Sequence, residues 1–169
     1  LQFCIQNQQV NFGLKHNVDL IPNVLERYLD RIAFSKVTDL SKRIANGLAN
    51  NQIVAVLTGR SEIGPRALGH RSILAHPGYK ENLKRVNDIK KREYWRPFAP
   101  AVLESKASEW FSGPPKQSPF MLMTAKVLQP RIPAVTHVDG SSRIQTVNED
   151  SPELLGILTE FELLTGIPI

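Results

Sequence analysis

The stretch 58-TGRSEIGPRALGHRS-72 sets glycines at 59, 64 and 69 and arginines at 60, 66 and 71, with Glu62 between them. It follows 53-IVAVL-57, a continuously apolar run of the kind that forms a strand buried on both faces. Ahead of that run, 38-TDLSKRIANGLANN-51 repeats Leu40, Ile44 and Leu48 at helical spacing, with Asn50 and Asn51 ending the pattern. Helix, buried strand, then glycine-rich turn is the order in which α/β folds place ligand loops at strand ends. The run 64-GPRALGHRS-72 is close to a P-loop, but His70 stands where that loop needs lysine. Pro65 also removes one backbone N–H that would cradle phosphate. What remains is a set of guanidinium groups able to grip phosphate or carboxylate with two parallel hydrogen bonds. Glu62 is placed to orient one of them through an ion pair, and local acids are too few to satisfy the rest.

Working outward, 71-RSILA-75 reads as a strand and 79-YKENLKRVNDIKKRE-93 as a helix, with Leu83, Val86 and Ile89 or Lys90 marking its faces. After the proline break 97-PFAP-100 come a strand at 101–103 and a short helix at 105–111. A loop, 112–119, leads to strands at 120–128 and 143–147. The closing segment 151–166 carries helix punctuation: Ser151 as N-cap, Pro152 in the first position, Gly166 beyond the end. Toward the N-terminus 22-PNVLERYLDRI-32 is helical in spacing, and residues 1–20 have no clean period. The pattern predicts an α/β domain over 36–169 with a mixed sheet, preceded by a poorly assigned segment, 1–35. The chain opens without methionine and closes in the apolar run 166-GIPI-169, which reads as a piece of a longer protein, cut at the C-terminal side.

Hydrophobic residues at 41% and charged residues at 22% describe an ordinary globular chain, and no apolar run approaches the ~18 residues of a membrane span. One cysteine, Cys4, allows no internal disulfide, which favours a reducing, cytoplasmic setting; in a tail it makes a poor nucleophile. The net charge of +5 is localised. Residues 60–96 hold ten Lys/Arg against four Asp/Glu, and the remainder holds eleven against twelve. Cationic charge gathered in one segment points to an anionic ligand.

Two further segments carry chemistry. In 90-KKREYWRPFAP-100, Lys90, Arg92 and Arg96 interleave with Tyr94, Trp95 and Phe98. That pattern fits a nucleic-acid surface, a nucleotide pocket, or cationic stems lying over a core, and by itself does not choose among them. In 134-AVTHVDGSSRIQTV-147, His137, Asp139 and Arg143 surround a Gly-Ser turn. His137 and Asp139 are two ligands without a third, and His16, His70 and His76 add no ligand spacing, so no metal site is expected of this chain.

Together, 59-GRSEIGPRALGHRSILA-75, 92-REYWRPFAP-100, 134-AVTHVDGSSRIQTV-147 and 165-TGIP-168 resemble the C-terminal domain of NodU/CmcH-type O-carbamoyltransferases, a family of nodulation and antibiotic-biosynthesis enzymes. The resemblance implies a YrdC-like fold, a twisted open mixed sheet with flanking helices and an electropositive cavity. There, carbamoyl phosphate and ATP, the latter with Mg²⁺, would yield a carbamoyl-adenylate. It also implies a partner within the same protein, an N-terminal Kae1-like domain that binds iron and passes the carbamoyl group to a hydroxyl of a sugar or natural-product acceptor. Carried over motif by motif, Lys90, Arg96 and Arg143 are the expected catalytic groups, with Lys90 and Arg96 both facing the cavity. Arg60, Arg66, Arg71, Ser72 and Arg92 are expected on substrate and ATP phosphates, and Glu62, His137 and Asp139 as orienting groups. The chain departs from the family pattern at His76, where aspartate is usual, and in the residues ahead of Ile53. It also lacks the family's L-N-T-S-F-N segment beyond T-G-x-P. The alternative is a YrdC-like RNA- or nucleotide-binding module without carbamoyl chemistry, in keeping with a pI near 9.5. The absence of a basic stripe outside 60–96 weighs against nucleic acid.

Overall fold

The computed structural model describes residues 13–14, 17–113 and 117–169. Cys4, His16 and the centre of the 112–119 loop lie outside the described residues. The elements are α1 (Ile21–Glu26), α2 (Leu40–Ala49), β1 (Val54–Leu57), β2 (Arg71–Leu74), α3 (Asn82–Ile89), β3 (Ala101–Leu103), α4 (Ala107–Trp110), β4 (Phe111–Ser112), β5 (Met123–Val127), β6 (Ser141–Val147) and α5 (Pro152–Thr165). The α/β class and the mixed sheet expected from the sequence are present. Strands β3, β6, β5 and β4 lie side by side in that order. β3 runs parallel to β6, with Ala101 opposite Gln145, and β5 runs antiparallel to both of its neighbours.

Strands β1 and β2 form a separate antiparallel pair, Val54 opposite Leu74 and Leu57 opposite Arg71. This corrects the expectation of a strand buried on both faces: only Val56 is buried in β1, while Ala55 and Leu57 are exposed. A two-stranded ribbon has no further strand to cover its edge, so an apolar run need not mean two-sided burial. The helix expected over 22–32 is also shorter, ending at Glu26 with no buried residue. A helix this short is marginal without a packed face.

The core forms where α5 lies against α2 and the large sheet. α5 buries Leu154, Ile157, Leu158 and Phe161, a spacing that aligns one helix face. α2 buries Ile44, Ala45 and Leu48, whereas Leu40, expected in the same stripe, is exposed. Asp39 caps α2 by accepting the Lys42 N–H at 3.0 Å. Gly156 permits the close approach of the two helices, since a Cβ there would stand 2.7 Å from Ser41 Oγ. α5 stops at Gly166, whose φ of 67° is left-handed and whose N–H donates to the Glu162 carbonyl at 2.7 Å. Ser151 holds the N-cap position, but its side chain makes no capping bond. Beyond the helix, the Pro168 carbonyl accepts the Leu103 N–H at 3.0 Å, and Ile167 and Ile169 join the core. Among the described residues no helix is long and apolar enough to cross a membrane.

The expected faces of α3 change most. The helix covers 82–89 rather than 79–93, and its buried positions are Asn82, Val86 and Asn87; Ile89 is exposed. Asn82 donates to the carbonyl of His76 at 2.9 Å and to Asn51 Oδ1 at 2.7 Å. His76 is itself buried, with its ring edge-on to Tyr79 and Phe161. Its Nδ1 accepts the Gly78 N–H at 2.9 Å, a bond available only while that nitrogen is unprotonated. Burial holds the His76 pKa below the ordinary histidine value. The unfolded chain therefore binds more protons in the window below pH ~6.5, and His76 contributes stability above it that is lost as pH falls. Thermal midpoints measured between pH 8 and pH 5 should drop on the acid side. His76→Asn should flatten that limb.

A candidate anion-binding site

β1 and β2 are joined by the glycine-arginine loop, whose shape is set by bonds within the loop itself. Glu62 Oε1 accepts the N–H groups of Leu68 and His70 at 2.7 and 2.9 Å. The expectation that Glu62 orients an arginine through an ion pair is thus corrected, because its carboxylate orients backbone instead. Ser72 Oγ accepts the Gly69 N–H at 3.0 Å. Gly59 and Gly69 adopt φ of 51° and 125°, and a Cβ at Gly59 would stand 2.6 Å from His70 Nδ1. From β6, Gln145 reaches across to donate from Nε2 to the Leu68 carbonyl at 2.8 Å, tying the loop to the large sheet.

That tie sets Arg66, from the loop, beside Arg143, from β6. Both line a pocket of about 220 Å³ with Arg71 and Ser72 of β2, Lys90 at the end of α3, and Arg92 in the turn beyond. Phe98, Met121, Gln145 and Leu154 complete much of its wall. Among the described residues no acidic one lines it. Among the described residues, Arg66, Lys90, Arg92 and Arg143 enter none of the ion pairs. The Nε–H groups of Arg66 and Arg143 are buried without a hydrogen-bond acceptor. Burial, and after it the positive charge of Arg66, push the Arg143 guanidinium below its usual pKa. It stays protonated nonetheless, since arginine does not give up its proton in proteins. Two orphaned donors on neighbouring cations are costly, and an anion between them would offset that cost.

Not every expected site residue faces this pocket. Arg96 forms an ion pair with Glu93 at 2.9 Å, half-exposed, and lies outside the lining; the i,i+3 spacing turns it to its own acid. Arg60 is exposed, with Nη1 3.5 Å from the Gly13 carbonyl. His137 and Asp139 both bond Ser141 at the β5–β6 turn, where the Ser141 hydroxyl and N–H hold the Asp139 carboxyl below its usual pKa. Arg71 lines the pocket, but its guanidinium donates to the carbonyls of Thr58, Gly59 and His70, so it braces the loop. No group of three His, Cys, Asp or Glu side chains suited to a metal occurs among the described residues.

Gln145 and Phe98 were not foreseen as site residues. Gln145 stands two positions from Arg143, which in a strand puts both on one face, so a period-of-two reading of 143-RIQTV-147 would have found it. Phe98 lies under the Arg92 guanidinium, 4.4 Å from carbon to ring centroid. An apolar chamber of about 110 Å³ adjoins the pocket and shares its wall of Ile73, Val86, Phe98 and Leu154.

An α/β domain with a cationic pocket beside an apolar wall has the chemistry to receive an anion. Comparison with known sequences identifies its kind: residues 45–169 match the family described as Carbamoyltransferase C-terminus, and the chain belongs to that family. It is 39% identical over 166 residues to the nodulation protein NolO of Bradyrhizobium diazoefficiens, covering 94% of this chain and 30% of that protein. It is 48% identical over 130 residues to nodulation protein U of the same organism, covering 75% of this chain and 23% of that one. An uncharacterized protein of Methanocaldococcus jannaschii is 36% identical over 153 residues, 88% of this chain and 29% of that protein. The chain thus spans under a third of the length of these relatives.

If the pocket is built for an absent anion, relieving its charge should stabilise the empty form. Arg143→Met keeps the stem and removes both the repulsion and the orphaned donor. Scanning fluorimetry without ligand should show a higher melting midpoint, by roughly 2–4 °C for each kcal/mol recovered. A lower midpoint would mean the guanidinium is held by contacts within the protein.

Proposed function

We propose that this domain binds carbamoyl phosphate and ATP in the cationic pocket and joins the carbamoyl group to AMP, as one half of an O-carbamoyltransferase. The observation that carries the reading is the meeting of Arg66, Arg143, Lys90 and Arg92 in an acid-free pocket, two of them with buried donors lacking an acceptor. Membership of the carbamoyltransferase family supplies the substrate class. Forming carbamoyl-AMP from these two substrates consumes one water and releases phosphate and pyrophosphate, so several anionic groups crowd together along the path. Fixed guanidinium and ammonium groups offset that repulsion and stabilise charge on the transferring groups. Arg66 and Arg143 are assigned to the phosphate that fills the space between their Nε donors, Lys90 and Arg92 to the opposite wall. Transfer to a hydroxyl acceptor, and the iron expected with it, belong to the Kae1-like partner domain.

Exposed Tyr94 and Trp95, 70% and 62% accessible, stand beside this cationic run and favour a second reading, a stacking surface for single-stranded RNA. The two separate by the degree of salt dependence: RNA affinity, which sums contacts to many phosphates, should fall more steeply with ionic strength than the binding of one small anion in the pocket.

Isothermal titration of the chain with carbamoyl phosphate and with Mg²⁺–ATP should detect both. Arg66→Ala or Arg143→Ala should weaken phosphate binding by about ten- to hundredfold, the range for a lost hydrogen bond to a charged group. Arg96→Ala should leave it near wild type. Binding that depends on Arg96 and ignores Arg66 would place the site elsewhere.

A further inference from the structure

We propose that Asn87 is a positioning residue for the pocket, fastening Arg92 so that it presents its terminal nitrogens to the anion without losing its charge. The inference rests on the anion-site reading above. Asn87 is wholly buried on α3 and touches no ligand space of its own. Its Oδ1 accepts Arg92 Nε–H at 2.5 Å, and its main-chain carbonyl accepts the Arg92 N–H at 3.1 Å, so one residue holds both ends of the arginine. Its Nδ2 donates to the carbonyls of Tyr94 and Arg96, each at 3.0 Å, which folds the following turn back onto the helix. Lys91 makes that reversal in a left-handed conformation, φ 49°, unusual for a side chain with a Cβ. With Nε spent on Asn87 and one face of the guanidinium on Phe98, the Nη groups are what Arg92 has left for the pocket it lines.

The choice of an amide follows from the chemistry. Leucine would fill the space but accept nothing from Arg92. Aspartate would accept the Nε–H, yet it would neutralise the guanidinium and could not donate to the two carbonyls. Of these three only asparagine accepts and donates here without bringing charge, so it orients the cation and leaves its full attraction for the ligand.

The test follows the Arg92 Nε–H resonance in ¹⁵N–¹H spectra of the full chain, assigned by its loss in Arg92→Lys. In wild type it should exchange slowly with water. In Asn87→Leu it should broaden or vanish, and in Asn87→Asp, which keeps the acceptor, it should persist. Titration with carbamoyl phosphate should show about tenfold weaker binding for Asn87→Leu. In an Arg92→Ala background the same change should cost less than about twofold, because there is no arginine left to position. A merely structural asparagine would weaken binding equally in both backgrounds and leave the resonance in place in Asn87→Leu; either result overturns the proposal. If Asn87→Leu does not fold, loss of the resonance in Asn87→Asp overturns it instead. Should wild type bind no carbamoyl phosphate while the resonance still depends on Asn87, the carbamoyl reading fails and the positioning role stands for another anion.

Discussion

Like charges repel, and this fold holds two guanidinium groups together with no counter-charge beside them. Arg66 arrives on a loop and Arg143 on a sheet strand, and each buries an Nε–H that nothing accepts. Much of the surrounding structure can be understood as the means of keeping them there. Glu62 and Ser72 set the curvature of the loop, Arg71 braces its base, and Gln145 joins it to β6. These bonds satisfy backbone groups, which makes the loop rigid enough to carry an unfavourable charge arrangement.

The opposite wall is built on the same principle with different parts. The buried face of α3 sets two amides beside Val86, and those amides stitch neighbouring turns together: Asn82 to the His76 segment, Asn87 to the turn through Arg96. Packing of α5 on α2 and the sheet supplies the apolar base against which both walls stand. Stability comes from that base, and the unpartnered donors of the pocket subtract from it.

The relatives give this arrangement a context. A chain that spans under a third of proteins such as NolO, while the family match runs from 45 to 169, is a unit that recurs inside longer proteins. The pocket gathers the positive charge that the proposed binding of carbamoyl and adenylyl phosphates calls for. Tyr94 and Trp95, large and exposed at the pocket's cationic run, are the kind of residues that stack on a base or meet another surface.

Residue types and local spacing were enough to establish the α/β class, the helix over 152–165 with Gly166 beyond its end and, through motifs, the membership of a carbamoyltransferase family. Each of these depends on neighbours in the chain, or on motifs that survive as strings. Which cations share a pocket depended on contacts across the fold. Arg96 was expected in the cavity as a catalytic group and Arg92 on phosphates, but Glu93 pairs with Arg96 outside the lining, while Asn87 holds Arg92 at it. Glu62 looked like a partner for arginine and is a partner for backbone, because the loop turns the N–H groups of Leu68 and His70 onto its carboxylate. Continuity of apolar residues in β1 could not reveal that the strand has one neighbour instead of two. A side chain's type sets what it can bind, and only the packing of distant segments decides what comes within reach.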